Sequence, residues 1–174
     1  MRLSLIFPPW FTEFGDFKAA ARKVSIFPPL NLCRIAALAK GVGWEVQLID
    51  AHVEGLDPPA ILRRVRPFQP DLIGLTAATP FFKNAVLLAD LLKKELMKPV
   101  IMGGAHVTYY RAAAFADSLD YLVIGECETT LTDFLGQFSR GNRYPNVPGI
   151  MMKKAGQVLY AGDAPLLADL DQAP

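Results

Sequence analysis

The chain reads as an α/β protein built on a doubly wound, five-stranded parallel sheet, and three observations predict it. Compact apolar runs of strand length recur at residues 3–7, 44–49, 72–75, 100–102 and 121–124. Helix-length segments separate them, which is the alternation of βαβ units. Two of the runs, Val100-Ile101-Met102-Gly103-Gly104 and Tyr121-Leu122-Val123-Ile124-Gly125, stop at glycine, where a parallel sheet opens its ligand crevice.

The elements follow in order. Leu3-Ser4-Leu5-Ile6-Phe7 is closed by Pro8-Pro9, as a buried central strand would be. The next stretch, through Pro29, carries Trp10, Phe11, Phe14, Phe17 and Phe27 without periodicity and reads as a lid or ligand-binding loop. Residues 30–38 repeat apolar side chains at helical spacing, with Gly41 and Gly43 marking the end. After the second strand, Asp57-Pro58-Pro59 supplies an N-cap and a proline-tolerant first turn for a helix over 60–65. Residues 82–96 form an amphipathic helix, a short helix is expected around 111–117, and the last runs over 129–138. Residues 150–153 and 158–160, joined at Ala155-Gly156, read as a β-hairpin, and 165–174 as an extended linker. The expected organisation is a ligand-binding domain over 1–140 and a hairpin with linker over 141–174.

Composition narrows the function. A 52% hydrophobic content in 174 residues is ample for one core, and a formal net charge of +1 with scattered basic residues does not indicate nucleic acid. No apolar run is long enough for a membrane span and the amino terminus is too brief for a signal-peptide core, so a cytoplasmic location is expected. Cys33 and Cys127 are too far apart for a CxxC zinc site and read as reduced thiols. A dinucleotide site needs a glycine-rich turn after the first strand, where Phe7-Pro8-Pro9-Trp10 stands instead. A phospho-accepting receiver needs an aspartate ending the third strand, which reads Leu75-Thr76-Ala77, and a flavodoxin-type phosphate loop is missing. What remains is a large ligand that needs small residues on three strand ends: Thr76-Ala77-Ala78-Thr79, Gly103-Gly104 and Gly125.

Pro28-Pro29-Leu30-Asn31-Leu32, Ile49-Asp50-Ala51 with Glu54-Gly55-Leu56, Gly103-Gly104-Ala105-His106-Val107-Thr108, and Ile124-Gly125-Glu126 resemble the N-terminal cobalamin-binding domain of cobalamin-dependent radical S-adenosylmethionine enzymes. Val147-Pro148-Gly149-Ile150 and Asp169-Leu170-Asp171-Gln172-Ala173-Pro174 resemble the segment leading into the radical domain of that family. The resemblance covers nearly the whole chain. It implies a flavodoxin-like fold with the corrin across the strand ends and its nucleotide tail against the sheet. Thr76, Ala77, Ala78 and Thr79 would face the ligand, Gly103 and Gly104 would let the tail pass, and Gly125 with Glu126 would close the far wall. Pro8, Pro9 and Trp10 would approach the corrin face, and His106 would contact corrin or tail. Cys127 stands where the family has glycine. A thiol at a helix start lends itself to a lowered pKa.

Asp50-Ala51-His52-Val53-Glu54-Gly55 matches the D-x-H-x-x-G signature with which other cobalamin domains ligate cobalt. Here it follows the second strand rather than the first. His52 is therefore expected to face solvent or cap its loop, not to reach the metal.

For the intact protein the resemblance implies a 4Fe-4S cluster and S-adenosylmethionine in a radical domain of the same chain, beyond Pro174, since this segment has no C-x-x-x-C-x-x-C and no catalytic centre of its own. The reaction implied is methyl transfer to an unactivated carbon or phosphorus, or a ring-forming oxidation. The alternative is a non-catalytic corrinoid or small-molecule carrier or sensor.

Overall fold

The computed structural model describes residues 1–10, 28–128 and 130–166. Within them β1 (Arg2–Phe7), β2 (Glu45–Asp50), β3 (Leu72–Thr76), β4 (Val100–Gly103) and β5 (Tyr121–Val123) pair in parallel in the order β2-β1-β3-β4-β5. β1 is therefore an interior strand, flanked by the edge strand β2 and by β3, and the strand order reverses between β1 and β3. The expected hairpin forms as β6 (Ile150–Lys154) and β7 (Gln157–Tyr160), and it also joins the main sheet. β6 pairs antiparallel with β5, Tyr121 opposite Met152 and Val123 opposite Ile150, giving one seven-stranded mixed sheet. Ile150, Met151 and Met152 are buried there, so the hairpin covers what would otherwise be an open sheet edge.

The helices are α1 (Leu30–Gly41), α2 (Pro58–Val65), α3 (Phe82–Leu96), α4 (Ala105–Tyr110) and α5 (Leu131–Ser139). Asp57 caps α2 as predicted, its carboxylate accepting from the Ala60 amide at 2.8 Å with proline in the first turn. α4 departs from expectation. It starts directly after the glycine pair, and 111–114 form only a 3₁₀ turn rather than the helix expected over 111–117. His106-Val107-Thr108-Tyr109-Tyr110 is rich in weak helix formers, so propensity misplaced an element that tertiary packing of buried Val107 fixes. The loop predicted over 10–29 and the tail over 165–174 lie largely outside the described residues.

Right-handed crossovers sort the helices by face. Ile6, Ile49, Ile73, Leu75, Met102 and Leu122 face a core shared with Ile61 and Val65 of α2, Leu88 and Leu92 of α3 and Val107 of α4. The opposite face, bearing Leu3, Leu5, Leu72, Ile101 and Tyr121, is covered by α1 and α5. There Tyr121, Phe134 and Phe138 pack edge to face or tilted with centroids 5.0 to 6.1 Å apart, and Trp44 joins Phe138 at 5.8 Å. This aromatic block anchors α5 over the amino-terminal half of the sheet.

The hairpin turn contains a correctable strain. Ala155 and Gly156 have φ of 49° and 79°, the doubly left-handed pair of a two-residue I′ turn. Glycine takes this conformation freely, whereas alanine does so at a cost of roughly 1 kcal/mol. Replacing Ala155 with Asn should stabilise the chain by about 0.5–1 kcal/mol and raise the melting temperature by roughly 1–4 °C. A thermal melt followed by circular dichroism checks this, and an unchanged or lowered midpoint contradicts it.

Candidate functional site

On the face carrying only α1 and α5, a groove of about 290 Å³ runs down the sheet between the two helices. Its floor is built from alternate residues of four neighbouring strands: Leu3 and Leu5, Leu72 and Gly74, Ile101 and Gly103, and Val123. The register explains its depth. Leu5 stands opposite Gly74, Gly74 opposite Ile101, and Thr76 opposite Gly103, so two adjacent strands each present a glycine beneath the seam of the helices. A Cβ at Gly74 would lie 2.7 Å from Leu5 Cδ2 and crowd the floor, whereas one at Gly103 would make ordinary contact, 3.4 Å from Val123 Cβ.

The walls come from α1 and from the segment joining β5 to α5. Asn31, Arg34, Ile35 and Leu38 line the groove from one face of α1, spaced i, i+3, i+4, i+7. Gly125, Glu126, Cys127 and Glu128 line it opposite. Asn31 Nδ2 donates to Thr76 Oγ1 at 3.3 Å, tying α1 to the end of β3. Arg34 pairs with Glu128 Oε1 at 3.1 Å across the groove. The Glu128 side chain is only 15% exposed, and its Oε2 is buried without a hydrogen-bond partner among the described residues. An unmet buried acceptor of this kind costs about 1–3 kcal/mol and more when charged.

Of the residues the sequence proposed for the ligand, Thr76, Gly103, Gly104, Gly125 and Glu126 line this groove, and the others do not. Pro8 and Pro9 are buried at the end of β1. Ala77 is buried in the core on the other face of the sheet, and Ala78 leads into the 3₁₀ turn at Thr79–Phe81. Thr79 Oγ1 bonds His106 Nδ1 at 3.2 Å, and the His106 ring stacks on Phe82 at 3.8 Å and against Tyr110 at 4.4 Å. Burial lowers the His106 pKa, favouring neutral imidazole. These residues form the rim at the carboxyl ends of β3 and β4. Gly104 serves loop packing as well as the groove: at φ +106° its missing Cβ would sit 2.5 Å from the Ala77 carbonyl oxygen. The two loops close on each other because the Ala77 amide donates to Gly103 O at 2.9 Å and the His106 amide to Ala77 O at 3.2 Å.

One expectation is corrected. His52 does not face solvent. It is 2% exposed, stacked on Trp10 with centroids 4.5 Å apart and edge-on to Phe7 at 6.5 Å. It follows the edge strand β2 and does not line the groove, whose floor begins at β1. Cys127 is a free thiol, as expected, and burial, reinforced by the neighbouring Glu128 charge, pushes its pKa up to about 11.

Sequence reasoning missed Asn31, Arg34, Gly74 and Glu128. The helical stripe over Asn31, Arg34, Ile35 and Leu38 was the available signal for two of them. Glu128 read as an acidic residue suited to starting a helix, and nothing local pointed to its pairing with Arg34.

The B12 binding domain family model matches residues 19–135, and the chain belongs to that family of cobalamin-binding domains. It is 29% identical over its whole length to an uncharacterized methyltransferase of Pyrococcus horikoshii, covering 37% of that protein. It is 30% identical over 83% of its length to the anaerobic magnesium-protoporphyrin IX monomethyl ester cyclase of Synechocystis sp., covering 30% of it. The chain thus spans about a third of the length of these curated relatives. Among solved structures, the radical S-adenosylmethionine methyltransferase TsrM from Kitasatospora setae, with cobalamin and a [4Fe-4S] cluster bound, shares the fold with a TM-score of 0.77 at 17% identity, over 99% of this chain and 30% of that one.

The groove fits the cofactor for which the family is named. It is too small for a whole corrin macrocycle but near the low end of ordinary small-molecule pockets, roughly 300 Å³ and upward. Its glycine floor admits a flat group that a Cβ would displace, and Glu128 offers an acceptor that lacks a donor. No group of three or more His, Cys, Asp or Glu among the described residues is placed to hold a metal ion, and none of their helices is long and apolar enough to cross a membrane.

Burial of Cys127 makes stability depend on pH. The folded state holds the thiol proton up to about pH 11, while the unfolded chain releases it near 9, so this contribution to stability is complete below pH 9 and is lost as pH rises through 11. Cys127→Ala should flatten the decline in stability between pH 9 and 11, measured by urea denaturation. The native thiol should also react with iodoacetamide at pH 8 far more slowly than a free cysteine. Rapid alkylation of Cys127 would contradict the burial.

Proposed function

We propose that the groove takes the nucleotide tail of cobalamin, with the tail's base off the cobalt and the corrin lying across the carboxyl ends of β3, β4 and β5. The observation that carries this reading is the paired glycine floor, Gly74 and Gly103, under the seam of α1 and α5 beside the reversal of strand order. Thr76, Gly125 and Glu126 bound the tail near the mouth. Thr79, His106 and the Pro8-Pro9-Trp10 turn form the rim on which the corrin rests. Bound cobalamin supplies methyl-group or electron-transfer chemistry at its cobalt. The chain's own task is to hold it, to exclude water from the groove, and to leave the cobalt's lower face to water or no ligand.

The whole protein, in this reading, is a radical S-adenosylmethionine enzyme of the methyltransferase or cyclase class. Its further domain binds a 4Fe-4S cluster and S-adenosylmethionine, and it works in the cytoplasm. The greater length of the relatives, one a methyltransferase and one a cyclase, supports this. Reading the gene past the Pro174 codon tests it: a C-x-x-x-C-x-x-C motif is expected, and an immediate stop would refute a radical domain in the same chain.

Titration with hydroxocobalamin, followed by absorbance, tests the binding mode. The chain should bind with a base-off spectrum. Gly103→Leu, whose backbone is not in the left-handed region, should weaken binding by at least about tenfold by filling the floor, a loss of about 1.4 kcal/mol. His52→Ala should leave the bound spectrum unchanged. Full affinity in Gly103→Leu overturns the tail path, and loss of a nitrogen-ligated spectrum in His52→Ala restores that histidine as a cobalt ligand.

A further inference from the structure

The polar atoms lining the groove are unevenly satisfied. Thr76 and Asn31 bond each other, and Arg34 holds Glu128 through Oε1. Glu128 Oε2 is left buried, with no hydrogen-bond partner among the described residues. The Glu128 side chain is 15% exposed, lines the groove and is held by the half-exposed Arg34 through one oxygen only, so a small turn of the carboxylate brings Oε2 to a ligand in the groove. Buried acceptors are normally met by a donor, and the groove is where a ligand can bring one.

We infer that Glu128 Oε2 accepts a hydrogen bond from an N–H or O–H group of the bound corrinoid's nucleotide tail, which makes Glu128 the residue that distinguishes tailed from tail-less corrinoids. The inference rests on the proposed placement of the tail in this groove. Two donors have the required chemistry: a ribose hydroxyl, present in every nucleotide tail, and an exocyclic amine, present when the base is an aminopurine and absent from a neutral benzimidazole. A charged acceptor in a water-poor groove makes such a bond stronger than a neutral one. Arg34 orients the carboxylate and is a positioning residue.

The test compares binding of three corrinoids by absorbance titration: cobinamide, which lacks the nucleotide, cobalamin, and the cobamide with adenine as its base. Glu128→Met keeps the side-chain length and removes the acceptor. It should weaken binding of the adenine cobamide, and of cobalamin too where the donor is the ribose hydroxyl, by about tenfold or more and leave cobinamide affinity unchanged, which also reports that the variant is folded. Glu128→Gln, still an acceptor through its amide oxygen, should lose less than Glu128→Met, and it serves should the methionine variant not fold. A greater loss with the adenine cobamide than with cobalamin assigns the donor to the base amine, and an equal loss assigns it to the ribose hydroxyl. Unchanged affinity for both cobalamin and the adenine cobamide in Glu128→Met, or an equal loss for cobinamide and the tailed corrinoids, overturns the role of Glu128. Failure of the unsubstituted chain to bind any of the three overturns the cobalamin reading itself.

Discussion

The pairing register between β3 and β4 is the constraint on which the groove depends. Parallel pairing of Gly74 with Ile101 and of Thr76 with Gly103 sets the two glycines on one face and one step apart. A slip of either strand by one residue would turn its glycine to the opposite core and lift Leu75 or Met102 into the groove. The same register brings the strand ends level. That lets Ala77 and Gly103 form their hydrogen bond and lets the Gly104 backbone approach within the reach of a Cβ. Floor and rim are therefore two consequences of one alignment.

The helices add depth without closing the seam. α1 crosses back over β1 and β2, and α5 returns from β5, so the two meet over the middle of the sheet from opposite sides. Their inner ends are held by dissimilar interactions: an aromatic block around Phe134 and Phe138 for α5, and the Arg34–Glu128 pair with the Asn31–Thr76 bond near the mouth. A half-buried ion pair gives little net stability, because desolvation of the carboxylate offsets most of its attraction to the guanidinium. The pair matters more for what it fixes in space than for what it adds to folding.

Much of this was legible in the sequence, and the boundary is physical. All five parallel strands, the hairpin and its two-residue turn follow from apolar periodicity and turn chemistry, which are local properties. Gly103 and Gly125 were visible as groove residues because a glycine that ends an apolar strand marks a close approach at the open end of a parallel sheet. Gly74, inside Leu72-Ile73-Gly74-Leu75-Thr76, was not, because its meaning depends on which residues stand opposite in β1 and β4. Glu128 and Arg34 are joined only by tertiary structure. α4 was misplaced because packing overrode propensity, and at Cys127 the helix position argues for a lower thiol pKa while burial, the larger effect here, raises it.

His52 shows why a motif needs its place in a sheet before it carries chemistry. The letters of the D-x-H-x-x-G signature are all present, yet they follow an edge strand of the parallel set, and the strand that intervenes is β1 itself. The Asp50 carboxylate accepts from the Val53 amide at 3.0 Å and closes the turn after β2. The imidazole then fills the space under Trp10 and beside Phe7, where it supports the β1 turn that forms part of the rim. One strand over from where that signature stands in other cobalamin domains, the histidine ring packs against Trp10 and Phe7 beside the groove.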